Sequence, residues 1–280
     1  MKPIYLSLAA LAAALPLPAL AQDAPAAPFT VSGSIALVSD YRFRGVSQSD
    51  EELAVQGGLT LTHESGFYVA TWASNLSGWG TFGGSNTELD LVGGFKTEVS
   101  PGVNVDVGLT WYMYPGGASE TDFAEPYIKI STTFGPISWL GGVAYAPKQQ
   151  ALGKWYNSGA SYATGIPDNP GKKNDNFYVW GDISSAIPNT PITLKAHLGY
   201  SEGNSGLGPN GTSVAPTGEY LDWMVGADWA AFGPVVLGVA YTDTNIKLKE
   251  AKYLYPNFSN TKDGTRIAGP QVVFSVSAAF

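Results

Sequence analysis

From residue 29 to the C-terminus, apolar and polar side chains alternate with period two in twelve segments, and the connections between them alternate strictly between short and long. Strands are expected at 29–39, 53–62, 67–75, 88–98, 103–114, 125–133, 137–146, 176–186, 192–201, 220–230, 235–242 and 269–280. Each is close to the roughly 9–11 residues that a tilted strand needs to cross a bilayer. The five short connections, 63–66, 100–102, 134–136, 187–191 and 231–234, carry Gly, Pro or Asn where a tight reversal needs them. The six long ones, 40–52, 76–87, 115–124, 147–175, 202–219 and 243–268, are polar. A soluble sandwich has no reason to gather every long loop at one end, whereas outer-membrane barrels combine short periplasmic turns with long extracellular loops. The expected fold is all-β, a transmembrane antiparallel up-and-down β-barrel of twelve strands with both termini at the short-turn end.

Composition agrees. The chain is 44% hydrophobic and only 14% charged, and its 34 glycines and 12% aromatic residues favour pleated strands joined by tight turns. After residue 21 no stretch approaches the roughly 18 consecutive apolar residues of a spanning helix. The mature chain is therefore either soluble or a closed sheet, because lipid leaves unpaired backbone amides unsatisfied. Cysteine is absent, which excludes disulfides, thiolate metal sites, cysteine nucleophiles and a lipidated N-terminal cysteine. A net charge of −8 and acidic pI oppose binding to nucleic acid.

The N-terminus reads as an export signal. Met1 and Lys2 precede an apolar run from Ile4 to Leu20, and Ala19-Leu20-Ala21 before Gln22 fits the small-x-small cleavage pattern. An uncleaved anchor is the competing reading, opposed by Pro16 and Pro18 and by the alanine-rich run. The expected organisation is a cleaved signal peptide at 1–21, a short periplasmic segment at 22–28 and the barrel at 29–280.

One parity of the strands is charge-free and carries Trp111, Met113, Trp139, Val143, Ile192, Leu198, Leu221, Trp223 and Val225, as a lipid-facing surface requires. Tyr145, Tyr200 and Tyr241 fall at long-loop ends, and Phe67, Phe95, Trp139 and Trp229 at short-turn ends, which implies two aromatic girdles. The third strand is ambiguous, with Tyr68 and Trp72 on one parity and Phe67 and Val69 on the other. The opposite parity carries Glu88, Asp90, Lys96, Asp106, Lys129, Asp182, Lys195, His197, Asp222 and Asp228, expected to line the lumen. A solvated outer face of a soluble sandwich would show the same alternation. The last strand ends at Phe280, resembling the C-terminal signal that barrel-assembly machinery recognises.

The stretch Ser39-Asp40-Tyr41-Arg42-Phe43-Arg44-Gly45-Val46-Ser47-Gln48-Ser49, followed by Gly66-Phe67-Tyr68, Trp72-Ala73-Ser74-Asn75 and Glu88-Leu89-Asp90, resembles the signature of the TorF-like porin family. The resemblance is strongest over the first third of the mature chain. It implies a proteobacterial outer-membrane barrel of poorly defined substrate and supplies no catalytic residue. Within the motif, Arg42 and Arg44 share a parity where the first strand rises into its loop, aimed either at the pore mouth or at Asp50, Glu51 or Glu52.

Other chemistry is sparse. Gly199-Tyr200-Ser201-Glu202-Gly203 matches the G-x-S-x-G string of serine hydrolases, with His197 nearby, but a Gly- and Pro-rich loop follows instead of a helix. Gly206-x-Gly208-x-x-Gly211 lacks the helix that would hold a pyrophosphate, and His63 and His197 are too separated for a zinc site, so neither a cofactor nor a metal is expected. Lys148, Lys154, Lys172 and Lys173 in the fourth long loop, and Lys247, Lys249, Lys252, Lys262 and Arg266 in the sixth, are candidates for lipopolysaccharide phosphates or anionic solutes, or simply solvate their loops. In the lumen, six acids against three lysines point to a mild cation preference. The expected function is a porin-like channel for small hydrophilic solutes. Alternatives are a structural or adhesive barrel without an open pore and an outer-membrane serine esterase or lipase. The long loop at 147–175 is the candidate plug or constriction.

Overall fold

The structure is a computed structural model that describes residues 28–280. The proposed signal peptide at 1–21 and most of the segment at 22–28 lie outside the described residues. Twelve antiparallel strands close into a barrel: β1 Phe29–Val38, β2 Ala54–His63, β3 Phe67–Asn75, β4 Thr87–Ser100, β5 Val103–Met113, β6 Phe123–Phe134, β7 Ile137–Gln149, β8 Asn174–Ala186, β9 Ile192–Glu202, β10 Glu219–Phe232, β11 Val235–Thr244 and β12 Gln271–Ala279. Each strand pairs with its sequence neighbours, and β12 returns to β1 with Ser34 opposite Ala279 and Val38 opposite Ser275. Backbone bonds between Gly33 and Phe280 finish this seam. Among the described residues the barrel sheet has no open edge, which is what a bilayer demands of strands.

All twelve expected strands are present, and the differences lie at their ends. Strands β6, β7 and β8 reach further toward the long loops because Gln149 acts as a backbone substitute: its amide group accepts from Ala124 N–H and donates to Ala124 C=O, both at 2.8 Å. Strand β12 starts two residues late, since Pro270 has no N–H for the ladder and the Gly269 carbonyl instead accepts from Arg42.

Alternation sorts the faces as the sequence predicts. Val31, Ile35, Val69, Leu198, Val225 and Phe274 are each more than half exposed on the outside. The ambiguous third strand resolves with Phe67 and Val69 outward and Trp72 inward. At the short-turn end Phe67 packs on Phe95, 4.8 Å between centroids, with Trp139 and Trp229 exposed beside the turns. At the long-loop end the hydroxyls of Tyr145, Tyr200 and Tyr241 donate to Asp175, Glu219 and Asp243, so each ring sits on the apolar band with its polar tip satisfied. Inside, large rings lie over glycines of the neighbouring strand: Tyr127 over Gly108 and Trp180 over Gly142, where any β-carbon would collide.

The long loops, numbered 1 to 6 and spanning 39–53, 76–86, 114–122, 150–173, 203–218 and 245–270, fold over one end of the barrel. They carry two short helices, α1 Gly159–Ala163 and α2 Leu248–Leu254, and a buried apolar core of their own in which Trp79 meets Phe258 edge-on among Leu207, Ile246, Leu254 and Ile267.

Candidate functional site

Loop 1 determines the shape of the lumen. Arg42–Phe43 and Val46–Ser47 pair as a small hairpin, and its two turn residues, Arg44 and Gly45, both have positive φ (50° and 77°). This is the twist that suits a tight two-residue reversal. Gly45 is required twice over: a β-carbon there would lie 2.5 Å from Thr244 Cγ2 and 2.9 Å from Asp222 Cβ, so the turn is wedged against β10 and β11.

The hairpin is tied from both sides. Asp40 accepts from Arg42 Nε and Ser47 Oγ, each at 2.6 Å; Arg42 also donates to the carbonyls of Gly45 and Gly269 and reaches Glu51 at 3.2 Å. Ser47 N–H donates to Ile267 of loop 6, and Asp50 accepts from Thr261. Arg44 crosses the interior to the far wall. Its Nη2 meets both oxygens of Glu125 on β6 at 2.7 Å, its Nη1 donates to Asn176 on β8 at 2.7 Å, and its Cζ lies 4.1 Å from the centroid of Tyr178. Burial opposes the charge of Arg44, and Glu125 overrides that effect, holding the guanidinium more firmly protonated than an ordinary arginine.

The two arginines thus part company. Arg42 orders the loop through Glu51, as one sequence reading had it, whereas Arg44 binds the barrel wall. The shared parity expected of them is broken because the turn, not the first strand, carries Arg44.

Below the hairpin lies a cavity of about 610 Å³. It runs from the short-turn end, past Thr190, Pro191, Gly233 and Pro234, to a roof made by Arg42, Phe43, Arg44 and Gly45. Lys129, Lys195, Asp222 and Asp228 line it, joined by His197. The charges are paired across neighbouring strands: Lys195 to Asp228 at 2.5 Å and Lys129 to Asp106 at 3.8 Å, with Lys129 4.0 Å above the Tyr127 ring. Tyr68 donates to Asp106 at 2.8 Å, and Lys96 stands opposite Asp106 in register near the open mouth. His197 bridges two carboxylates, Asp182 at 2.7 Å and Asp222 at 3.0 Å, with the Tyr178 hydroxyl 2.9 Å from its Nε2.

Of the residues expected to line the pore, Glu88, Asp90, Lys96, Asp106 and Asp182 do not border this cavity, and two of them are shut away from water altogether. Glu88 and Asp90 point into the barrel but are sealed beneath loop 1, 2% and 0% exposed, because Tyr41, Trp72, Tyr112 and Tyr114 fill the space around them. Glu88 accepts from the Tyr41 hydroxyl, and Asp90 has no hydrogen-bond partner at either oxygen among the described residues. Burial, with Glu88 beside it, raises the Tyr41 phenol well above its ordinary value and keeps it a donor. The interior contacts also bring in residues not singled out in the sequence: Glu125, Asn176, Tyr178 and Tyr127. Glu125 shares the parity of Lys129, which was the available signal.

The hydrolase lead does not assemble. Ser201 lies within β9 rather than on a strand-to-helix turn, and both ring nitrogens of His197 are engaged by other groups. Among the described residues no group of three His, Asp or Glu is placed to hold a metal ion.

Residues 22–280 match the model of a family described as a bacterial protein of unknown function (Gcw_chp). The chain belongs to that family. None of the curated proteins compared with it matches. Among solved structures, this Gcw_chp chain is similar to the NanC porin at 9% identity, with a TM-score of 0.51 over 90% of this chain and 99% of the other. It is similar, again at 9% identity and a TM-score of 0.51, to a protein from a study of in-meso crystallization of membrane proteins, over 89% and 83% of the two chains. Salmonella typhi OmpF in complex with daunomycin shares 7% identity at a TM-score of 0.43 over 90% and 97%. At these identities the likeness is one of fold, a closed porin-like antiparallel barrel.

Proposed function

We propose that the protein is a channel of the bacterial outer membrane for small hydrophilic solutes, held closed at its extracellular end by loop 1. The observation that carries this reading is the 610 Å³ cavity, which occupies the lumen from the short-turn mouth and stops at the Arg44 hairpin. A structural barrel has no use for a roomy lumen bordered by charged side chains, whereas a channel needs one that a loop can interrupt. The resemblance to TorF-like porins supports the same assignment, as does the fold shared with the NanC porin. Export follows from residues 1–21 as a cleaved signal, assembly from recognition of the strand ending at Phe280, and contact with lipopolysaccharide phosphates from the exposed lysines of loops 4 and 6. A mild cation preference in the open state follows from the surplus of acids over bases in the lumen, and from the loss of Arg44 when loop 1 withdraws.

Planar-bilayer recording tests this. Wild-type protein is expected to show rare or small steps, and Arg44→Ala frequent steps on the order of ten times the wild-type open fraction, since about 1.4 kcal/mol of lost closure already shifts the equilibrium tenfold. Reversal potentials in a salt gradient should report cation preference. Silence in both proteins, with retention of a folded barrel, favours the second reading, an adhesive or structural barrel. That reading draws on the packed loop core around Trp79 and Phe258.

A further inference from the structure

The groups that receive Arg44 belong to the barrel wall, while Arg44 itself arrives on a loop. A carboxylate from β6, a carboxamide oxygen from β8 and the face of Tyr178 from the same strand converge on one planar cation. A carboxylate accepting through both oxygens, a neutral acceptor and an aromatic face are what a receptor for guanidinium or substituted ammonium groups presents. Glu125 is 3% exposed and Asn176 2%, and Asn176 is itself fixed by donating to the Glu202 carbonyl at 2.9 Å, so these acceptors are held in place by the wall and not by the loop. We propose that this wall is a binding site for solutes carrying a guanidinium or ammonium group, and that loop 1 closes the lumen by filling it with a tethered copy of that group.

A second observation comes from the neighbouring strands. Glu88, Asp90 and Glu125 are all buried near one another's strands, yet Arg44 satisfies only Glu125, and both oxygens of Asp90 are unpartnered at 0% exposure. An unpaired buried carboxylate is costly, so the region is short of positive charge even with the loop in place. Access needs no rearrangement of the barrel, because Glu125 and Tyr178 border the same cavity that opens at the short-turn end. The proposal deepens the channel reading by naming a solute class, but binding is measurable without current, so the two fail separately.

Guanidinium chloride titrated calorimetrically into refolded, detergent-solubilised Arg44→Ala is the direct probe. One site per chain is expected, with a Kd on the order of 1 mM, which is what so small a ligand can reach. Wild-type protein, whose site is filled, should bind at least about tenfold more weakly, and Glu125→Gln in the Arg44→Ala background should lower affinity by a similar factor. Sodium chloride at equal ionic strength should not reproduce the heat. In bilayers, guanidinium should reclose Arg44→Ala channels and leave the Glu125→Gln double variant open. If Arg44→Ala does not yield a heat-modifiable folded barrel, Arg44→Met, which keeps length and loses charge, takes its place. No saturable binding in a folded variant, or binding indifferent to Glu125→Gln, overturns the proposal. Binding without any conductance leaves it standing and overturns the channel instead.

Discussion

The two halves of the lumen are built on the same inward parity and contain opposite environments. Toward the long loops, Tyr112 stacks on Phe123 and Phe82 on Tyr114, and carboxylates are sealed among rings. Toward the short turns, Ser34, Ala36, Ser275 and Ser277 leave room, and charges pair between adjacent strands beside open space. Strand register decides which side chains enter the barrel, but the loops decide whether what enters meets water. In the upper half the decisive ion pair joins loop to wall; in the lower half each pair joins wall to wall. Removing a charge should therefore move the loop in one half and only the electrostatics in the other.

The largest effect is expected from Glu125→Ala. It leaves Arg44 buried without its carboxylate, a loss of about 3–5 kcal/mol when one partner of a buried pair is removed. The barrel ladder is untouched, so loop 1 should carry that loss. Trypsin is expected to cut at Arg42 or Arg44 in the variant and spare the wild type, while the heat-modifiable band of the barrel persists. Equal protection of both proteins would mean that Glu125 does not hold the loop.

Leu254→Ala comes next. Leu254, the last residue of α2, is fully buried in the loop core that also holds the Trp79 and Phe258 rings, and such truncations cost about 2–5 kcal/mol depending on how far the site collapses. Loops 2 and 6 should become protease-sensitive together, whereas a change confined to loop 6 would show that the core does not act as one unit. Lys195→Ala, in the lower half, should cost only about 1 kcal/mol because Asp228 keeps partial access to water. Its signature is electrical: greater cation preference in an open channel variant, with no change in trypsin protection of loop 1.

Much of this architecture is legible in the sequence, and the reason is periodicity. All twelve strands, their order and the alternation of short and long connections follow from a period of two punctuated by Gly and Pro, as at Gly135-Pro136 and Gly233-Pro234. Depth was not legible. Glu88, Asp90 and Lys129 share an inward parity, yet only Lys129 lines the cavity, because loop 1 packs over the first two. Loop 1 was hidden for the same reason: a strand pattern extrapolated through Arg42 and Arg44 puts both on one face, and only the positive φ of Arg44 and Gly45 separates them. The long loop at 147–175, the candidate plug in the sequence, instead joins the cap through Ala151, Leu152 and Tyr156, and the shorter loop 1 roofs the cavity.

The smallest effect sharpens the comparison within loop 1 itself, away from the lumen. Glu51 accepts from Arg42 at 3.2 Å, but burial raises its carboxyl above the ordinary value, and Asp40, Asp263 and Asp50 add to the shift against the opposing pull of Arg42. A carboxyl with a raised folded-state pKa binds its proton more readily in the docked loop than in the free one. Its contribution to docking is therefore fully present below the ordinary carboxylate range and is lost as pH rises through the raised value. Protection of loop 1 should increase slightly on acidification through that window. Glu51→Gln, which cannot ionise, should flatten that part of the profile and protect the loop at neutral pH as well as the acidified wild type is protected. Proteolysis rates of the two proteins across the carboxylate range, with a protease active throughout, read this directly. Protection that falls on acidification in the wild type, and not in Glu51→Gln, would show that the Arg42 contact outweighs burial, and that both arginines of the loop are held by their carboxylates after all.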